Sequence, residues 1–284
     1  MKTKPNLFSG RRLLIVTKHQ KEEVIAPLLE AVLGVTCFVV KDFDTDSLGT
    51  FSGEIARKDN PLTTLRQKCW EGMQSEGFDL AVATEGSFGN HPTVFFAPAN
   101  DEFIMLIDQK NKLEIVERVL SLDTNFDCSE VSTKAELKVF LDKVQFPSHG
   151  VILKDASENW SKIYKGVSNY DLAEKIFDTI IASGGGCYIE TDMRAMQNPT
   201  RMQIIKEVCL KLINKLHSVC PECNYPGFGV VGTEAGLLCS LCAMPTHSIS
   251  AHKYQCQHCN YNTKVMYPTG KKLEDPMYCD FCNP

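Results

Sequence analysis

Four C-x-x-C pairs close the sequence: Cys220 with Cys223, Cys239 with Cys242, Cys256 with Cys259, and Cys279 with Cys282. Each short knuckle offers two thiolates at a spacing that suits a tetrahedral ion. Taken in chain order they read C-x2-C-x15-C-x2-C and C-x2-C-x19-C-x2-C, both within the range of four-thiolate zinc sites. The pattern predicts two structural Zn²⁺ ions, which replace a hydrophobic core that so short a segment cannot build. Sequential pairing of the knuckles is the expectation, because each quartet already has ribbon spacing; interleaving the first and third knuckles would satisfy the same tetrahedral geometry. His247, His252 and His258 lie close by, but beside eight cysteines they read as surface or supporting groups. A closed four-thiolate site has no vacant position, so catalysis has to be sought elsewhere.

Thirteen cysteines could suit a secreted disulfide scaffold, yet their clustering in C-x-x-C pairs is the pattern of a metal protein in a reducing compartment. No apolar run approaches the roughly 18 residues of a membrane span, and the start "MKTKPNLFSGRR" lacks a signal-peptide core. A cytoplasmic protein without membrane contact is the expectation. The formal charge of −5 becomes more negative when eight thiolates hold two Zn²⁺, which disfavours broad, sequence-blind nucleic-acid binding. Nucleic acid or a protein partner remains open through the ribbons, where Tyr225, Phe228, Tyr254, Tyr261 and Tyr267 could stack on bases or cover the metal.

Ahead of the knuckles, apolar runs alternate between strand and helix periods. "RLLIVT", "KEEVIAPLLEAVLG" and "VTCFVV" make a β-α-β opening, with Val24, Leu28, Leu29 and Val32 as the buried stripe and Gly34 as the stop. "PLTTLRQKCWEGMQSEG" restarts a helix at Pro61, and "FDLAVA", "TVFFA" and "EFIMLID" read as strands. "HGVILK", "DLAEKIFDTIIASGGG", "CYIE" and a helix from about Thr200 to His217 complete a second set. The expectation is an α/β domain over residues 1–217, with a mixed, largely parallel sheet and flanking helices, followed by a tandem zinc-ribbon region over 218–284.

Four polar clusters fall at element junctions. Lys18, His19 and Lys21 sit where the first strand meets its helix, a position that attracts phosphate. "DTDSLGTFSGEI" carries Asp44, Asp46, Thr50, Ser52 and Glu54, oxygen donors for a cation or a polar ligand. "ATEGSFGNHP" is expected as a loop at a strand's carboxyl end, with Glu85 as a metal-binding carboxylate and Ser87 and His91 beside it. "ETDMRAMQNPTRM" brings Arg194 and Arg201 to the start of a helix set by Asn198 and Pro199, although Arg194 could simply pair with Asp192 or Glu190.

The combination "KHQKEEVIAPLLE", "DTDSLGTFSGEI", "ATEGSFGNHP", "PSHGVILK" and "DMRAMQNPTRM", followed by "CPECNYPGFG", resembles an uncharacterised bacterial family of unknown function. A weaker likeness connects the order of elements to the inosine triphosphate pyrophosphatase class, which removes pyrophosphate from non-standard nucleoside triphosphates using Mg²⁺. That likeness implies Lys21 as the phosphate-binding lysine, Glu85 as the metal-binding acid and Arg201 as the arginine of the later helix. The chain departs from that class in "TKH", in its single Glu at the strand end, and in the missing Ser-His dipeptide. The functional expectation is an Mg²⁺- or Mn²⁺-dependent hydrolase or binder of a phosphorylated small molecule, a nucleotide first. Glu85 with Glu54 or Asp46 would hold the cation, and Lys18, Lys21 and Arg201 would bind phosphate. The competing expectation is a non-catalytic, ligand-sensing α/β domain carrying a ribbon module for nucleic acid or protein.

Overall fold

The structure is a computed structural model that describes residues 7–40, 60–184 and 186–284. Asp44, Asp46, Thr50, Ser52 and Glu54 lie outside the described residues. Two compact units emerge, one of Phe8–Lys110 and Val116–Leu212, the other including Asn111–Ile115 and Ile213–Pro284. The break falls inside the last long helix rather than at its end.

The first half of the larger unit builds on β1 (Arg12–Val16), α1 (Glu22–Leu33), β2 (Thr36–Val39), α2 (Pro61–Glu76), β3 (Leu80–Asn90), β4 (Pro98–Asp108) and β5 (Leu113–Ser121). These strands form one sheet in the order β2-β1-β3-β4-β5. Strand β1 runs parallel to β2 and β3, and β3 pairs antiparallel with β4 from Leu80↔Asp108 to Asn90↔Pro98. Both α1 and α2 close on a left-handed glycine, Gly34 and Gly77, and α2 opens on an Asn60 cap with Pro61 in its first turn.

The second half comprises β6 (Cys128–Val131), α3 (Lys134–Lys143), β7 (Val151–Lys154), β8 (Ile163–Val167), α4 (Tyr170–Ala182), β9 (Cys187–Thr191) and α5 (Pro199–His217). Its four strands, in the order β6-β9-β7-β8, pair antiparallel throughout and pack with α3 and α4 around Leu137, Phe140, Leu153, Phe177 and Ile189.

The expected mixed sheet with flanking helices is present, but it is not largely parallel. Only seven residues separate β3 from β4, and a parallel return needs a crossover of about a dozen or more, so the short link forces a hairpin. "TVFFA" is not a strand but part of that link: the Thr93 and Val94 N–H groups donate to His91 Nδ1, and Phe95 and Phe96 face solvent. Along α1 the buried stripe is Ile25, Leu29 and Leu33; of the expected set Leu29 is buried, Val24 and Leu28 are half-buried and Val32 is exposed. Helix α3 carries a Thr133–Glu136 capping box that the sequence displays as "TKAE" and that the periodicity reading passed over.

In the cysteine-rich unit, β10 (Gly229–Ala235), β12 (Ile249–Gln255) and β13 (Asn262–Met266) form an antiparallel sheet in the order β10-β12-β13, while β11 (Leu238–Cys239) pairs parallel with β14 (Leu273–Glu274).

Candidate active site and metal centres

Strand β1 stops at Val16, whose partner on β3 is Ala83, while β3 runs on to Asn90. Thr84, Glu85 and Gly86 therefore lie past the end of β1, and "ATEGSFGNHP" is mostly strand rather than the expected loop. Alternation along β3 turns Glu85 to the α2 side, where it meets Lys68 Nζ at 2.5 Å. Thr84 and Gly86 turn to the opposite face, together with Glu102, the cross-strand partner of Gly86.

Lys21, immediately ahead of α1, reaches this second face. Its Nζ donates to Thr84 Oγ1 at 2.8 Å and lies 3.7 Å from Glu102 Oε1. Arg201, in the first turn of α5, donates from Nε and Nη2 to the two Glu102 oxygens at 3.2 and 3.3 Å, and from Nη1 to the Met193 carbonyl at 2.5 Å. Asn198 Oδ1 accepts from the Arg201 N–H and so fixes this turn. A side chain at Gly86 would run into both the Glu102 carboxylate and the Arg201 guanidinium, so glycine is required there by close approach, not by a turn.

The structure thus brings together three residues singled out in the sequence, Lys21, Glu85 and Arg201, with two that were not, Lys68 and Glu102. Lys68 lies in a segment noted only as a helix restarting at Pro61, and Glu102 in one noted only as a strand. The cluster is deeply buried: Glu102 is 0% exposed, Arg201 1%, Glu85 5% and Lys21 6%. Burial, reinforced by the nearby Arg201 charge, lowers the Lys21 ammonium to about 7, against the opposing pull of Glu102. Lys21 therefore changes charge close to neutral pH.

The remaining sequence candidates lie in other settings. Lys18 and His19 occupy the half-buried turn between β1 and α1, where His19 and Gln20 take left-handed backbone angles. Ser87 follows Glu85 by two residues on the same face of β3. His91 sits six residues beyond Glu85 along extended chain, roughly 20 Å away, and its Nδ1 caps the hairpin link. Arg194 is bound to Asp192, with Nε to Oδ1 at 2.9 Å and Nη2 to Oδ2 at 2.6 Å, in the pairing that its sequence neighbourhood had left open. Lys154 pairs with Glu190 at 2.7 Å beneath Trp160.

The cysteines form two groups, Cys220, Cys223, Cys256 and Cys259 in one, and Cys239, Cys242, Cys279 and Cys282 in the other, with sulfurs within 4.8 Å of one another in each. This is the interleaved pairing, and it corrects the sequential expectation. Strand β10 spans roughly 23 Å between the first and second knuckles and carries them to opposite ends of the sheet. The Gly229↔Gln255 register instead sets the knuckle before β10 beside the one after β12. The β11–β14 pair, aligned Cys239↔Glu274, brings the second knuckle to the fourth.

Sulfur separations of 3.7 Å for Cys220···Cys259 and Cys223···Cys256, 3.8 Å for Cys239···Cys282 and 3.6 Å for Cys242···Cys279 match the edge of about 3.8 Å for a tetrahedron with Zn–S bonds of about 2.3 Å. The donor set therefore fits zinc. Burial alone would raise Cys220, but N–H groups of Cys223 and Glu222 and neighbouring thiols bring it down to about 7; the Cys242 N–H leads the same fall for Cys239, also to about 7. In the same groups Cys223 is pushed up to about 12, by burial first, and Cys282 to about 12, by the Cys242 thiol first, so within each cluster one thiol ionises at its neighbours' expense. No histidine belongs to either group among the described residues: His258 stacks on Tyr225 at 3.8 Å, and His247 pairs with Asp280.

No helix among the described residues is long and apolar enough to cross a membrane. No curated protein matches the chain. Among solved structures, the crystal structure of protein VC0702 from Vibrio cholerae aligns with 7% identity and a TM-score of 0.32, covering 72% of this chain and 94% of that one. The model of a family described as "Domain of unknown function (DUF6671)" matches residues 68–284, from Lys68 of the buried cluster through both cysteine groups, and the chain belongs to that family.

Proposed function

We propose that the larger unit is an Mg²⁺-dependent hydrolase or binder of a phosphorylated small molecule, with a nucleotide as the first candidate. The observation that carries this reading is a buried charge cluster past the end of β1: Lys68 paired with Glu85 on one face of β3, and Lys21 with Thr84, Glu102 and Arg201 on the other, near enough that the two sets act on one another electrostatically. Lys21 and Lys68 face the anion, and Glu85 takes a divalent cation that arrives with the phosphate, since the surrounding cations repel a bare metal ion. Arg201 acts as a positioning residue: its guanidinium is committed to Glu102 and to the Met193 carbonyl. The α1 N-terminus adds its partial positive charge next to Lys21. Removal of pyrophosphate from a nucleoside triphosphate is the specific reaction to examine first, because phosphoryl chemistry rests mainly on positioning and charge neutralisation, which this cluster supplies.

Purified protein incubated with nucleoside di- and triphosphates and Mg²⁺ or Mn²⁺ tests the reading. Release of pyrophosphate or phosphate, lost in Glu85→Gln, or a thermal shift from phosphate ligands, supports it. No turnover and no shift with any phosphate ligand ends it.

A second reading concerns the metal-binding unit as a protein-docking module. Residues 218–284 hold four lysines and no arginine against five acids, so they offer no basic patch for nucleic acid. Tyr225, Phe228, Tyr254 and Tyr261 are engaged with one another or with His258. Leu241 and Phe281, each next to a ligand of the second cysteine group, are 74% and 65% exposed, and exposed apolar clusters of this kind mark protein contacts. Deleting the chain after Leu216 and comparing co-purified partners separates this reading from the first.

A further inference from the structure

The second sheet of the larger unit ends on an open edge. Strand β6 pairs with β9 alone among the described residues. Asp127, just ahead of β6, bonds across to Thr191: its carbonyl accepts from the Thr191 N–H at 3.0 Å, and its N–H donates to Thr191 Oγ1 at 3.2 Å. Backbone groups alternate along an antiparallel pair, so Ser129 and Val131 also bond towards β9, while those of Cys128 and Glu130 point outward. Two of these four outward groups are satisfied locally. The Cys128 N–H donates to Asp127 Oδ1 at 2.9 Å, and the Glu130 carbonyl accepts from Ser129 Oγ at 3.2 Å. The Cys128 carbonyl and the Glu130 N–H remain. One residue of a parallel strand uses that combination, donating to the carbonyl before its partner and accepting from the N–H after it, whereas an antiparallel residue needs both groups of Cys128 or both of Glu130.

The apolar layer under the sheet runs on past this edge. A cavity of about 400 Å³ lies between β6 and α3, with Val131, Ala135, Val139 and Phe140 among its walls. Ala135 and Val139 stand one helical turn apart on α3, and both are exposed, Val139 by 69%. A strand added beside β6 would lie over them. The cavity is also lined by three acids, Asp127, Glu130 and Glu136, against one lysine, Lys143. That balance favours a cationic partner and opposes a second copy of this chain, which would set the same acids against one another.

We propose that β6 is the docking edge for an extended, basic segment of a partner protein, added as a parallel strand opposite Ser129. Side chains alternate across a sheet, so the residue opposite Ser129 points to the α3 side and enters the cavity, and its two neighbours lie beside Cys128 and Glu130 on the other face. The segment that fits is an apolar residue flanked by Lys or Arg. Main-chain bonds to the edge supply affinity, and the cavity and Glu130 supply selectivity. The site shares no residue with the charge cluster or the cysteine groups, so it stands independently of the phosphate reading.

Fluorescence anisotropy of the full chain with a labelled peptide of alternating Val and Lys, against a Val/Glu peptide of equal length, tests the assignment. The Val/Lys peptide should bind ten-fold or more tighter than the Val/Glu peptide. Glu130→Gln should weaken it several-fold, and Glu130→Pro, which also deletes the outward N–H without taking a bond from β9, should weaken it ten-fold further. Val139→Ser, on the exposed face of α3 where the fold does not depend on it, should weaken it several-fold as well. Hydrogen exchange at the Glu130 amide should slow when the peptide binds. Equal affinity for the two peptides, binding that survives both Glu130→Pro and Val139→Ser, unchanged exchange at Glu130, or no binding at millimolar peptide overturns the proposal. A doubling of mass in solution that Glu130→Pro abolishes overturns it too, by giving the edge to a second copy.

Discussion

Lys21 is where the surroundings act most strongly on a single side chain. Its ammonium is lowered from the ordinary 10.5 to about 7, first by burial and then by Arg201. Between these values the unfolded chain holds a proton that the folded chain has released, so this residue makes folding more favourable as pH rises, by about 1.4 kcal/mol per pH unit. Below about 7 both states hold the proton and the dependence vanishes. The stability difference between wild type and Lys21→Met, measured by urea unfolding, should therefore be flat below pH 7 and grow in favour of wild type from pH 7 to 10. Glu102 presents the complementary case. Its two oxygens accept from Nε and Nη2 of the buried Arg201, and Glu102→Gln removes the negative charge from that pair. The expected loss is about 3–5 kcal/mol by the same measurement. Gly86→Ala forces a methyl group into that pair and should cost about 1–3 kcal/mol, with lower affinity for phosphate ligands.

Elements rather than residues decide how the knuckles pair, and this is where local spacing misleads. Both quartets have ribbon spacing in chain order, but an extended strand between knuckles one and two separates them, and a strand register is not written in the gap length. Native mass spectrometry of double substitutions separates the pairings. Cys220→Ser with Cys256→Ser should leave one zinc ion per chain, and Cys220→Ser with Cys239→Ser should leave none; sequential pairing reverses these outcomes. The same contrast explains what the sequence made legible in the larger unit. The opening β-α-β unit, the Pro61 and Asn198 helix starts and the glycine stops were readable because each depends on a few neighbouring residues. The length of β3 was not, because polar residues from Glu85 to Asn90 stay in the strand only through pairing with β4. Lys68 and Glu102 were likewise invisible: their significance comes from partners 17 and 99 residues away.

At the scale of the molecule, each compact unit has its own means of support. Apolar packing and the charge cluster hold the larger one, and the cysteine groups hold the other. Chelation should accordingly remove the structure of residues after Ile213 while β1, β3 and β4 keep their amide protection, as read by hydrogen exchange. The central claim is that the larger unit recognises phosphate through Lys21. Calorimetric titration with Mg²⁺ and tripolyphosphate at pH 8, repeated in buffers of different ionisation enthalpy, tests it most directly. At that pH Lys21 is mostly neutral, and a bound anion favours its charged form, so binding should take up close to one proton, and Lys21→Met should abolish the uptake. Binding without proton uptake, or no binding at all, would contradict the account.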